Sequence, residues 1–362
     1  MKIQILSPNY PPQKCGVGDY SFFLSEEFSR QGVETTVFTR TQMEKKGKAD
    51  LALLSNFTTQ GIDENTTTII QYTPQLFNSF LECLKIFQKA KGPVWINFHE
   101  LYFPPSLSLH GLLIGIPHWI RFVALLHLAD QVVFSTSEFY LRWTKRLPYL
   151  KGKMHWIPVG SNIPVVSKVD SSSEDAEYRL FHFGGAHPTH LYDYIFEAFL
   201  AVLNLENGSR YRLILAGVSQ EALKDILNNY PSLMNHPQIS YLGYLSAEEV
   251  SLSIQNADLV LAPFMDGVST RRGSLMAALS HGKRVITTVV AGDDSSDIPW
   301  ADFLETVELS GDAKLKFSRK VVQLVNESKV QRKVFELKAV EAFQKLFSWD
   351  VIAKKLLSKK RL

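Results

Sequence analysis

The sequence predicts an α/β protein of two Rossmann-like, doubly wound parallel-sheet domains facing a cleft. Three observations carry this. The chain has 362 residues, enough for two domains. Short apolar runs alternate with amphipathic helical patterns, as in a parallel sheet with crossover helices. The alternation then restarts after one polar, serine-rich stretch, "VSKVDSSSEDAEY".

The first half opens with "KIQIL" as a strand, "GVGDYSFFLSEEFSRQG" as a helix closed by Gly32, and "ETTVFTR" as a second strand. "LALLS", "TTTIIQY", "PVWINFH" and "DQVVFST" continue as buried strands, and "KMHWIPVGSNIP" reads as the last of this half. The most membrane-like segment is "LLIGIPHWIRFVALLHLADQVVF". Pro117, His118, Arg121 and His127 interrupt it, so it reads as a helix followed by a buried strand.

In the second half "YRLFHFGG", "YRLILAG", "QISYLGYL", "DLVLAPF" and "KRVITT" are strands. The helices between them include "SAEEVSLSIQNA", with a capping box at Ser246 and Glu249. Everything after "KRVITT" reads as helix. The expected domains are 1–164, with a C-terminal helix 345–362 crossing back to it, and 165–344.

Hydrophobic residues at 45% and charged ones at 21% fit a well-cored globular protein. A net charge of +3 is too small to argue for nucleic acid. Two cysteines make no disulfide framework and lack metal-like His/Cys spacing, so a reducing cytoplasm is the simplest setting. "MKIQILSPNYPP" does not read as a signal peptide. The basic tail "AKKLLSKKRL" reads as a solvated helix end or as a peripheral contact with anionic lipid at the inner membrane face.

Ligands of doubly wound sheets bind beyond the carboxyl ends of the strands. The most telling loop there is "DGVSTRRGSLMAALS", which sets Arg271 and Arg272 directly before a helix N-terminus. That end already carries partial positive charge and free N–H groups, so the pair asks for a bound phosphate or carboxylate. Ser269 lies in the same turn, Ser274 offers a hydroxyl, and Gly273 allows close approach of backbone to an anion. "GGAHPTH" adds Gly184, Gly185 and either His187 or His190. In "CGVGDY", Gly16 and Gly18 admit a ligand at the first helix or simply a tight turn. His99 and Glu100 end a buried strand, where His99 is a candidate for the site or a satisfied core residue. No D-x-D pair occurs, and "AGDDSSD" reads as a solvated loop, so no metal is expected.

The order of these motifs resembles the GT-B glycosyltransferases, specifically the retaining family 4 (glycosyl transferases group 1). The likeness runs over nearly the whole chain: "PNYPPQKCGVGDY", "INFHE", "FHFGGAHPTHLYD", "LILAG", "ISYLGYLSAEEVSLSIQNADLVLAPF" and the closing "AFQKLFSWDVIAKKLL". It implies transfer of a hexose from a nucleotide diphosphate sugar, with retention, to an acceptor sugar, a lipid-linked glycan or another small acceptor. The nucleotide sugar is a substrate, and no cofactor is implied. The resemblance makes His99 and Asp266 the catalytic candidates. It makes Gly16, Gly18, Gly184, Gly185, His190, Ser269, Arg271, Arg272, Gly273 and Ser274 the donor-binding ones.

There are departures. Ser269 and Ala277 stand where the family places two glutamates, which leaves Asp266 as the nearest acid for sugar hydroxyls. Gly185 or Ala186 replaces a common arginine and His190 a common lysine, so Arg271 and Arg272 must supply the charge. Two other readings are an inactive GT-B relative acting as a binding or partner protein, and a nucleotide-sugar epimerase. A nicotinamide dehydrogenase fits poorly, because no G-x-G-x-x-G follows the first strand.

Overall fold

The computed structural model describes residues 2–13, 15–41, 47–57, 64–77, 80–101, 111–167, 177–290 and 298–359. The centre of the serine-rich linker and the acidic "AGDDSSD" lie outside these residues. The chain divides into two compact units, Met1–Gly160 with Trp349–Leu362, and Ser161–Ser348.

The first unit runs β1 (Lys2–Leu6), α1 (Gly16–Arg30), β2 (Glu34–Thr39), β3 (Asp50–Leu53), α2 (Leu54–Phe57), β4 (Thr66–Tyr72), α3 (Phe80–Lys89), β5 (Val94–Phe98), α4 (Ile116–Leu128), β6 (Gln131–Phe134), α5 (Ser137–Arg146) and β7 (Met154–Trp156). A π-helical turn, Gly111–Gly115, leads into α4. All seven strands are parallel, in the order β3-β2-β1-β4-β5-β6-β7. The central strands β4 and β5 are buried along their whole length, which is why they read as apolar or β-branched runs broken only by Gln71 and Asn97, where Asn97 Nδ2 donates to Gln71 Oε1 at 3.1 Å. "LALLS" is only partly a strand: β3 stops at Leu53, and Leu54 and Phe57 turn inward on a single helical turn.

The second unit runs β8 (Tyr178–Phe183), α6 (Tyr192–Leu203), β9 (Tyr211–Ala216), α7 (Gln220–Leu227), β10 (Ile239–Gly243), α8 (Ala247–Asn256), β11 (Leu259–Ala262), α9 (Gly273–Ser280), β12 (Val285–Val290), β13 (Glu305–Leu309), α10 (Ala313–Val325) and α11 (Lys329–Leu346). Its six strands are parallel, in the order β10-β9-β8-β11-β12-β13. Tyr192, Ile195, Phe196, Phe199 and Val202 form the buried stripe of α6. Ser246 and Glu249 make the expected capping box on α8.

The region after "KRVITT" corrects the all-helical expectation: β13 pairs with β12 from Ile286↔Glu305 to Val290↔Leu309. Its acidic first residue hides the strand. Glu305 is buried because Arg284, itself buried, donates to it through Nε at 3.0 Å and through Nη2. Lys320 of α10 adds a contact to Glu305 at 3.0 Å, and Glu327 accepts from Arg284 Nη1 at 2.6 Å.

The last helix, α12 (Trp349–Ser358), belongs to the first unit. Ile352, Ala353 and Leu356 join the core of α1, and the Trp349 ring meets Tyr20 edge-on at 5.0 Å. A Cβ on Gly160 would lie 2.7 Å from that indole, so glycine is required there. No helix among the described residues is long and apolar enough to cross a membrane.

Candidate functional site

In the second sheet the winding direction reverses between β8 and β11. A crevice opens at the carboxyl ends of such a strand pair. The loops leaving the two strands are joined by backbone bonds: Met265 N donates to Thr189 O at 2.8 Å and Leu191 N to Pro263 O at 3.1 Å. His190 and Phe264 form an antiparallel bridge between them. This brings Gly184, Gly185, His190, Asp266, Ser269, Arg271 and Arg272 to one edge.

Arg272 is the N-cap of α9, and its side chain is only 13% exposed. The guanidinium lies over the Phe264 ring at 4.4 Å, donates from Nη1 to Thr189 Oγ1 at 3.2 Å and pairs through Nη2 with Asp266. Arg271 donates from Nη2 to the other Asp266 oxygen at 3.1 Å. The anion that answers the paired arginines is thus the carboxylate of Asp266. Two polar atoms here remain buried without a protein partner, Arg272 Nε and Ser269 Oγ. A guanidinium N–H left unsatisfied in a half-buried site is costly unless a ligand meets it. Lys283, by contrast, is spent on structure: its Nζ donates to the carbonyls of Gln255 and Ala257.

Gly273 opens α9, and a Cβ there would meet nothing within 4 Å. Ser274 follows on the first turn, half-buried. Gly273 thus leaves room next to the first-turn N–H groups of α9, beside Arg272. Gly184 answers a different demand. A Cβ would lie 2.2 Å from His190 Cε1, so glycine makes room for the imidazole. Gly185 is exposed and only loosely approached, its nearest neighbour being Gly217 O at 3.8 Å from a built Cβ. Gly217 has φ +90, and a Cβ built there would lie 3.0 Å from Gly184 O, so glycine is required at that position too.

His190, which the resemblance sets in place of a lysine, is not a cation. Burial, with a contribution from Arg272, pulls its pKa down to about 4. Its Nδ1 lies 3.4 Å from Nε2 of His182, and His182 Nδ1 lies 2.8 Å from the Leu261 carbonyl. A carbonyl can only accept, so His182 donates from Nδ1 and accepts at Nε2. His190 then donates from Nδ1, which leaves its Nε2 as an acceptor. His187 is exposed and hydrogen-bonded to Thr189 Oγ1 at 2.8 Å.

In the first unit, Gly16 begins α1 and a Cβ there would meet nothing within 4 Å. Gly18 is buried, and a Cβ would sit 3.0 Å from Asn9 O, so it serves the close approach of the β1–α1 loop. His99 follows β5, half-buried. Its Nε2 lies 2.7 Å from Gln71 Oε1 and its ring meets Tyr20 edge-on at 4.7 Å. Because that oxygen only accepts, His99 donates from Nε2. Burial lowers its pKa to about 4. Glu100 is exposed.

These histidines predict an acid sensitivity. Burial holds His99 and His190 near 4 and His182 near 3, against an ordinary value of 6.5. Between those values the unfolded chain binds more protons than the folded one. The stability is therefore fully present above pH 6.5 and is lost as pH falls toward 4. Scanning calorimetry should give a lower Tm at pH 5 than at pH 7, where most carboxylates are still ionised. A flat Tm over that interval contradicts the buried, neutral histidines.

Two doubly wound parallel sheets, with the last helix returned to the first unit, constitute the GT-B fold. Solved structures agree. The chain is similar to sucrose-phosphate synthase from Thermosynechococcus elongatus, at 15% identity over 99% of this chain and 98% of that one, with a TM-score of 0.74. It is similar to HepE from Anabaena, solved with UDP and glucose, at 11% identity over 100% and 99% of the chains, TM-score 0.68. WaaG, a glycosyltransferase involved in lipopolysaccharide biosynthesis, matches at 13% identity over 98% of each chain, TM-score 0.63. At such identities the likeness is one of fold. No protein-family model matches the chain, and no curated protein does.

Proposed function

We propose that the protein transfers a hexose from a nucleotide diphosphate sugar, with retention, to an acceptor sugar, lipid-linked glycan or other small acceptor. The observation that carries this is the pair of buried, partnerless donors, Arg272 Nε and Ser269 Oγ, beside the open N-terminus of α9. Breaking the glycosidic bond leaves charge on the diphosphate. Fixed donors around that charge speed the step, and one is worth roughly 3–4 kcal/mol. Arg271, Arg272, Ser269, Ser274 and the amides from Gly273 onward would meet it without a metal ion. In binding, the diphosphate takes the place of the Asp266 carboxylate on the arginines and frees Asp266 for sugar hydroxyls. Gly184 and Gly185 form the floor. His190, an acceptor at Nε2, receives a sugar hydroxyl rather than a phosphate. The fold likeness to HepE, solved with UDP and glucose, supports a UDP-hexose as the first donor to try.

The test is slow hydrolysis of a nucleotide-sugar panel followed by proton NMR. Release of a hexose whose first-formed anomer matches the donor is expected. Release of the opposite anomer overturns retention. Tight UDP binding without turnover of any donor favours the binding-protein reading.

A further inference from the structure

Two imidazoles on the floor of the second-unit crevice have their protons fixed by the fold. His182 lies inside β8 and is 1% exposed, so both its ring nitrogens need partners. Nδ1 meets the Leu261 carbonyl of the neighbouring strand β11 at 2.8 Å, and Nε2 meets Nδ1 of His190 at 3.4 Å. The carbonyl has no proton to give. The bonds therefore run one way only, from His190 Nδ1 to His182 Nε2 and from His182 Nδ1 to Leu261. A third proton has no place between the two rings. Burial opposes it as well, bringing His182 to about 3 and His190 to about 4. Around His190, Arg272 and His187 also oppose a further positive charge, and Asp266 favours one without prevailing.

The His190 ring is held against rotation. Its backbone is bridged to Phe264, whose ring stands edge-on to the imidazole at 5.1 Å. Cε1 occupies the space beside Gly184, where a Cβ would lie 2.2 Å away. The Tyr192 hydroxyl donates to the Gly184 carbonyl at 3.1 Å and keeps that strand end in place. Nε2 of His190 is thus the ring nitrogen left to a ligand, and it presents a lone pair. Asp266, beside it, presents a carboxylate. Both accept and neither donates. A sugar hydroxyl satisfies them, and a sugar carboxylate does not.

With the donor sugar at His190, as the proposed function places it, we infer that His182 is a positioning residue for donor choice: it fixes the His190 tautomer so that the subsite takes an uncharged, hydroxyl-bearing hexose and rejects a hexuronate. A lysine, which the resemblance expects at position 190, would instead attract the carboxylate.

The experiment titrates the full chain with UDP, UDP-glucose and UDP-glucuronic acid by calorimetry, so that no turnover is needed. The wild type should bind UDP-glucose about tenfold more tightly than UDP-glucuronic acid. The ratio should be the same at pH 5 and pH 8, whereas an imidazole of ordinary basicity would be charged at pH 5 and lower it. Long-range proton–nitrogen NMR, with His190→Gln to identify the signal, should find the His190 proton on Nδ1. His182→Gln keeps an oxygen to accept that proton and should keep the ratio. His182→Leu keeps none, so the ratio should fall toward one with UDP affinity unchanged. The inference is overturned by equal affinity for the two sugars in the wild type, by a His190 proton on Nε2, by loss of the ratio in His182→Gln, or by a folded His182→Leu that keeps ratio and tautomer. Each of these results leaves the transferase reading standing. Failure of UDP itself to bind strikes that reading, and this one with it.

Discussion

Arg272→Ala is expected to weaken UDP binding about 10- to 100-fold, as measured by titration calorimetry. The change removes a half-buried guanidinium whose Nε has no protein partner, and a hydrogen bond to a charged group contributes about 1.5–3 kcal/mol. Arg271→Ala should cost less, because that side chain is 35% exposed against 13% for Arg272. Lys283→Ala should leave affinity unchanged, since its ammonium is held by two backbone carbonyls. In the same titration Asp266→Asn should bind UDP more tightly, because the carboxylate that competes for both arginines is gone. Equal affinity in the wild type and in both arginine variants would remove the anion site, and weaker binding by Asp266→Asn would make Asp266 a direct ligand of UDP.

The largest effect on stability is expected at Arg284. Its side chain is 6% exposed and pairs with Glu305 and Glu327, while its guanidinium lies over the Phe335 ring at 5.0 Å. Arg284→Ala strands the Glu305 carboxylate beside Lys320 alone, and breaking a buried pair costs about 3–5 kcal/mol. Urea unfolding followed by a probe in the second unit should show the midpoint falling accordingly. Arg284→Met together with Glu305→Leu should recover much of the loss, because the most buried pair is gone and the charges it leaves, Glu327 and Lys320, are 17% and 30% exposed. Retention of wild-type stability by Arg284→Ala would mean that water reaches Glu305.

Strands such as β4, β5 and β11 were legible because burial on both faces favours runs of apolar or β-branched residues. Strand β13 was not, because "ETVEL" places an acid where the sheet is buried and the compensating arginine sits 21 residues earlier. The same holds at the site. The doubled arginine and its need for an anion were visible in "STRRGS", but the identity of the anion depends on how the turn from Asp266 folds back. Thr189, Phe264 and His182 carried no signal of their own, since each acts through a partner brought close by the sheet. The segment containing α4 did signal, through its apolarity. Periodicity could not tell that one of its two apolar faces would stay uncovered.

Asp266 has one more consequence, for traffic through the site. An empty pocket with two bare arginines would gather chloride, inorganic phosphate and any passing monoanion. Here the arginine pair carries its own tethered counter-ion, held in place by the chain itself. A singly charged visitor gains little by displacing it, because one carboxylate is traded for one anion and the tether is lost. A nucleoside diphosphate brings more charge than it displaces. A site of this kind would therefore sort ligands by valence before shape. Under the proposed transfer, the Asp266 carboxylate would be at hand to compete with the spent diphosphate once the sugar has left, so the device that guards entry would also hasten exit.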